Sequence, residues 1–171
     1  MRLGRKIKKA KEKFLYFLRF ILHKKLYNII ILQLSKRKFI NCISSTKHKL
    51  KKSQNLDKIN KFEYKVTSQN NEDGIIDFLS KKIKKPDKFF FEIGFDFYEF
   101  NSLNLIKKNW TGVLVDGDQI KCDKINVCIA KYFPNSNTKI YNSFINYKNI
   151  NKIINNYFNK KNFDFFSLDT D

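Results

Sequence analysis

Apolar residues in this chain follow two rhythms, and the change between them marks its organisation. From residue 7 to 35 the steps are three and four: Phe14, Leu15, Leu18, Ile21, Leu22, Leu26, Ile29 and Leu32 or Gln33. That spacing predicts one long amphipathic helix. Residues 35–62 lose the rhythm, are polar and basic, and read as a partly disordered linker. Beyond them the runs are short and dense. Phe89–Ile93 is nearly all apolar and stops at Gly94; residues 113–115 are apolar and stop at Asp116. Such runs suit strands buried on both faces of a parallel sheet. Residues 125–130, INVCIA, read as a third strand, and the alternating 163–168 as a fourth, closed by Asp169, Thr170 and Asp171.

Helical patterns separate these strands. Asn70 or Asn71 is placed to cap a helix with Glu72 and Asp73 in its first turn, the stripe Ile75, Ile76, Leu79 and Ile83, and Pro86 beyond its stop. Asn101 is placed to cap a second, with Leu103, Ile106 and Trp110 toward the sheet, and Ile150, Ile153, Ile154, Tyr157 and Phe158 mark a third. The expectation is an α/β fold. A Rossmann-like sheet of about four mostly parallel strands, with helices on both faces, fills residues 67–171. A basic helical arm and linker fill residues 1–66.

Charge sharpens that division. The chain carries +19, yet residues 1–61 hold 19 Lys/Arg against Glu12 and Asp57, while the rest holds 16 against 14 acids. The excess therefore belongs to the arm. Lys, Asn, Ile and Phe dominate throughout, so A+T-rich coding accounts for part of the lysine. The basic start followed by an apolar stretch imitates a signal peptide, but Arg19 interrupts it and no small-residue cleavage site follows. No stretch is long and uncharged enough to span a bilayer. Two readings of residues 7–34 remain: a helix packed on its own domain or a partner, and a helix lying on an anionic membrane surface. No nucleic-acid motif accompanies the lysines. The location expected is cytoplasmic, with peripheral attachment at the inner membrane surface as its variant.

Other chemistry is excluded by what is missing. Cys42, Cys122 and Cys128 are an odd set without metal spacing, so a disulfide framework is not expected. His23 and His48 both lie in the arm, which leaves the sheet region without a histidine for zinc or for a nucleophile–base pair.

What remains is carboxylates at strand ends, where ligands of parallel sheets bind. Gly94 lets backbone approach a ligand closely. Asp116, 24 residues after Glu92, stands near the spacing at which nucleotide-binding folds place the acid that accepts ribose hydroxyls. The same Asp116 also suits an Asx-turn in Asp116-Gly117-Asp118. Asp118 is read as a neighbour of a bound base or as solvated. Asp169 and Asp171, two apart on a strand end, point to one side. They can hold a metal, orient a hydroxyl, act as a base, or do nothing.

Four pieces, in order and spacing, resemble the amino-terminal part of FkbM-like S-adenosylmethionine-dependent methyltransferases. SQNNEDGII at 68–76 is similar to the SQ-x-GEDGII signature of one branch, with Asn71 in place of its Gly. The stretch 89–118 resembles the nucleoside-binding strand pair. Phe95, Asp96, Phe97 and Tyr98 stand where typical members place further glycines, while Tyr98, Glu99, Phe100, Asn101 and Ser102 look like a variant loop of that branch. NSFINYKNIN at 142–151 and FFSLDTD at 165–171 resemble its ENIN segment and LSIDIDG strand end. The resemblance implies an O-methyltransferase with S-adenosylmethionine as cofactor and a sugar or glycan hydroxyl as acceptor. It assigns Gln69, Glu92, Gly94, Asn101 and Asp116 to the cofactor, with Glu72 and Asp73 nearby, and Asp169 and Asp171 to the acceptor; no metal is expected. A complete domain of that family has further strands beyond Asp171, so the chain reads as an amino-terminal fragment with an open acceptor wall, expected to bind the cofactor weakly at most and to carry out no detectable methyl transfer by itself. The rival reading is a non-catalytic scaffold, or a membrane-associated interaction protein, that keeps the fold.

Overall fold

The computed structural model describes residues 2–44, 48–49, 59–84, 86–158 and 162–169. At its centre is a four-stranded sheet with order β5-β4-β3-β6, all neighbours parallel. Its strands are β3 (Phe89–Ile93), β4 (Thr111–Asp116), β5 (Lys139–Asn142) and β6 (Phe165–Leu168). Two short strands upstream, β1 (His48–Lys49) and β2 (Tyr64–Lys65), pair antiparallel. The helices are α1 (Arg2–Ile21), α2 (Lys24–Ser44), α3 (Glu72–Ser80), α4 (Leu103–Lys107), α5 (Gln119–Tyr132) and α6 (Ile150–Phe158).

Period-two alternation divides the core. Phe91, Ile93, Val113 and Val115 pack with Ile153 of α6 on one face. Phe90 and Leu114 pack on the other with Leu103 and Ile106 of α4 and Ile125, Cys128 and Ile129 of α5. Both faces are thus covered, as the dense apolar runs require.

Three expectations need correcting. The strand expected at 125–130 is part of α5. Its β-branched residues suggested a strand, but Cys122, Ile125 and Ile129 fall on one buried helical face. Asp118 caps that helix by accepting the amides of Ile120 and Lys121. The third strand is instead β5, a half-exposed KIYN that carries little hydrophobic signal.

The arm is two helices rather than one, broken at Leu22 and His23. The break resets the helical phase. Among the described side chains α2 buries Tyr27, Ile31, Ser35 and Phe39, while Leu26 and Ile29 of the expected stripe are exposed. The expected linker also starts too early, because α2 runs on to Ser44. Phe39 is fully buried in the main core and stacks on Phe97 and Tyr132, with ring centroids 5.6 and 5.7 Å apart. The second arm helix is therefore docked into the sheet domain. Among the described residues no helix is long and apolar enough to cross a membrane.

Neither expected helix cap forms. Asn71 has a left-handed backbone, φ 72°, and makes no side-chain cap. Instead Asp73, fully buried, accepts the amides of Val66, Thr67 and Ser68 and both hydroxyls of Thr67 and Ser68. That carboxylate pins the strand-to-helix turn. At α4 the expected Asn101 cap is absent, and the buried Glu92 of β3 accepts the amides of Asn101 and Ser102, the two residues before the helix.

Candidate active site

Sheet order creates the site. The chain runs β3 to β4 to β5 in one direction, then returns to lay β6 on the other side of β3. The reversal opens a crevice at the carboxyl ends of the strands, the usual ligand position in such sheets. A cleft of about 540 Å³ lies there, lined by Gly94 after β3, Asp116 and Gly117 after β4, Ser143–Ile145 after β5 and Asp169 after β6. Loop residues Gln69, Asp96 and Glu99, with Lys121 of α5, complete its wall. A recess of about 190 Å³ shares Gln69, Glu99 and Asp169 with the cleft and adds Asn101 and Glu72.

Gly94 turns the chain at the mouth with φ 74°, a conformation that disfavours any residue with a Cβ. Its amide donates to Val115 O at 2.8 Å, tying the ends of β3 and β4 together. Asp116 is mostly buried and does two jobs. Oδ1 accepts the amide of Asp118 at 2.6 Å, the Asx-type turn that the sequence allowed. Oδ2 accepts the amide of Phe95 at 3.2 Å and lies 3.6 Å from Lys121 Nζ. Each carboxylate oxygen has two lone pairs. One backbone amide occupies each, so Oδ1 keeps a lone pair for a ligand, while the second on Oδ2 is shared with the Lys121 ammonium. Asp118 is spent on capping α5, where it also accepts the Tyr16 hydroxyl at 3.3 Å; it does not line the cleft.

Glu92 also does not line the cleft. It is fully buried beneath the loop and accepts the amides of Asn101 and Ser102 at 3.0 and 2.9 Å, and the Ser102 hydroxyl. Burial pushes its carboxyl up to about 7, against the pull of those three donors, with Asp169 adding a smaller push. Glu92 shapes the loop between β3 and α4. Asn101 Nδ2 donates to Ser167 Oγ at 3.0 Å, bridging that loop to β6.

Comparison with family models, curated proteins and solved structures finds no match for this chain. The cleft has to be read from its own chemistry.

Of the sites expected from sequence, Gln69, Gly94, Asp116 and Asp169 meet in one cleft, and Asn101 lies in its recess. Asp171 lies outside the described residues, so the Asp169–Asp171 pair rests on its first member, which is exposed at the rim. Sequence reasoning gave no role to Asp96, Lys121 or Phe144. Phe144 lines the cleft with 79% of its surface exposed, a large apolar plane facing solvent. The signal for it was NSFINYKNIN, quoted above without a role for its Phe.

The charge balance limits what can bind. Asp96, Glu99, Asp116 and Asp169 face Lys121, while Lys65 pairs with Glu99 at 2.8 Å from behind. The wall is net negative, which disfavours phosphates and favours a cation. Among the described residues no three His, Cys, Asp or Glu side chains converge on a metal position.

Proposed function

We propose that this cleft binds S-adenosylmethionine and that the chain carries the cofactor half of an O-methyltransferase acting on a sugar or glycan hydroxyl. One observation carries the reading. A net-negative cleft at the sheet's reversal point holds a carboxylate, Asp116, whose two oxygens each accept one backbone amide and retain further acceptor capacity, with Lys121 beside Oδ2. A vicinal diol needs two such acceptors, and a sulfonium with an ammonium suits the surrounding carboxylates. Nucleotides that carry phosphates suit them poorly. The exposed ring of Phe144 offers a face on which a planar base can stack. The residues present fit the group: Asp116 for the diol, Gly94 for close backbone approach, Phe144 for the base.

When bound, the cofactor supplies an electrophilic methyl carbon. The chain's own part is alignment and exclusion of water. Asp169, shared by cleft and recess, is placed to orient an acceptor hydroxyl and take its proton on a carboxylate oxygen.

The test is titration calorimetry on the full chain, because α2 is part of the core. Asp116→Ala is expected to weaken S-adenosylmethionine binding about 10- to 150-fold, the loss of hydrogen bonds to a charged acceptor. S-adenosylhomocysteine, without the sulfonium charge, is expected to bind more weakly. Absence of binding at millimolar cofactor refutes the reading. The scaffold reading then takes its place, and it has its own support. Phe95 and Phe97 are buried and the latter stacks on Phe39, so the loop that carries glycines in typical methyltransferases is here locked into the core.

A further inference from the structure

The first helix shows two apolar surfaces, and the protein covers only one of them. Leu15, Leu18 and Leu22 pack with Tyr27 and Ile31 of α2 and Ile120 of α5. Tyr16 donates to Asp118, and Arg19 pairs with Asp123 at 2.9 Å, so α1 is clamped to the start of α5. Five further apolar side chains of α1 face solvent. Ile7, Phe14 and Ile21 follow at steps of seven, Phe17 lies one turn from Phe14 and Ile21, and Phe20 lies one turn beyond Phe17 at the edge of the stripe; all five are exposed, Phe20 at 90%. Steps of three, four and seven put Ile7, Phe14, Phe17 and Ile21 on one stripe of the helix. Single exposed hydrophobes are ordinary on proteins, but a run of three phenylalanines and two isoleucines along one helix is a surface with a use.

Charge identifies what covers it. Residues 2–25 contain ten Lys/Arg and one acid, Glu12. Lys9, Lys11, Lys13, Lys24 and Lys25 are exposed. We infer that this stripe of α1 inserts into the headgroup region of an anionic bilayer, with the lysines on its flanks against the lipid phosphates. A protein partner of ordinary composition would leave that charge unmatched, and nucleic acid would leave the phenylalanine stripe in water. The surface is independent of the cleft, and no step of the inference uses the cofactor.

The experiment is co-sedimentation of the full chain with phosphatidylcholine vesicles containing or lacking phosphatidylglycerol. Binding is expected only with the anionic lipid, and it is expected to fall more than about tenfold between about 0.05 M and about 0.5 M salt, as the field is screened. The double variant Phe14→Asp, Phe17→Asp should lose binding more than about tenfold. Its thermal unfolding should stay close to wild type, because both side chains are more than half exposed and lie outside the core clusters. Equal binding to neutral vesicles, full binding by the double variant, or no binding at all overturns the inference. So does a lipid-free dimer that the double variant dissociates, since a second copy would then be what covers the stripe.

Discussion

Glu92→Gln isolates the cost of burying one carboxyl. In the folded protein that group sits without solvent contact and its pKa stands at about 7, against an ordinary 4.5. The difference corresponds to about 3 kcal/mol. The raised value means that the native state holds the proton more tightly than the unfolded chain. Stability from this group is therefore complete below about pH 4.5 and is lost as pH rises through about 7. Between about pH 5 and about pH 8 the loss comes to about 2–3 kcal/mol, a large part of the 5–15 kcal/mol typical of a domain. Urea unfolding at both pH values, for wild type and variant, measures it. Glutamine cannot titrate, so its own change with pH reports every other group. Its amide nitrogen must face the N–H of Asn101 or Ser102, which costs stability at both pH values and cancels from the comparison. Wild type is expected to lose about 2–3 kcal/mol more than the variant on going to the higher pH. Parallel pH dependences would refute the argument and mean that the three donors keep Glu92 ionised.

Asp77 behaves in the opposite sense: burial would raise it, but hydrogen bonds from Lys108, Tyr64 and Lys81 outweigh burial and hold it at about 2, from 3.8. Its contribution, about 2 kcal/mol, is present above about pH 4 and lost as pH falls through about 2, and Asp77→Asn should abolish that acid-side loss in unfolding titrations. Gly74→Ala should cost about 2 kcal/mol or more in thermal unfolding, because a Cβ there would lie 1.9 Å from Phe62 O and 2.5 Å from Tyr64 N, both backbone atoms. Cys122 and Cys128 are buried and burial pushes both thiols up to about 12; peptide mapping after alkylation of the native protein should find both unmodified until urea is added.

Much of the sheet could be read directly, because β3 and β4 bury both faces and their composition says so. Phe89–Ile93 and Thr111–Asp116 are apolar almost without interruption. β5 escaped because it is half exposed and only four residues long, so nothing in Lys139–Asn142 outweighs the denser INVCIA nearby. That stretch is helical because Asp118 caps it and its buried positions repeat at helical spacing, and tertiary packing outweighs β-branched preference. In the site, Gly94 and Asp116 were legible because strand ends and turn residues mark the mouth. The part taken by Glu92 was not, since sequence does not show which way a side chain in a buried strand points or which amides await it. Asp73 is the plainest case. The helix-start pattern predicted a charge favourable in the first turn, whereas the folded chain makes it a buried anchor for Val66, Thr67 and Ser68.

The placement of β6 has a bearing on the order in which the molecule assembles. Pairing β3 with β4 brings together residues 22 apart, as Phe89 with Thr111. Pairing β3 with β6 joins residues 75 apart, as Phe90 with Phe165. The longer loop costs about 1 kcal/mol more chain entropy to close, and among the described residues β6 offsets it by pairing along one edge, with Phe166 and Leu168 still about half exposed. That strand is expected to join last and to leave first. Since Asp169 follows directly from it, the Asp169 wall of the cleft is expected to open while the Gly94 and Asp116 wall stands, and amide exchange should report two separate opening energies for the two sides of one cavity.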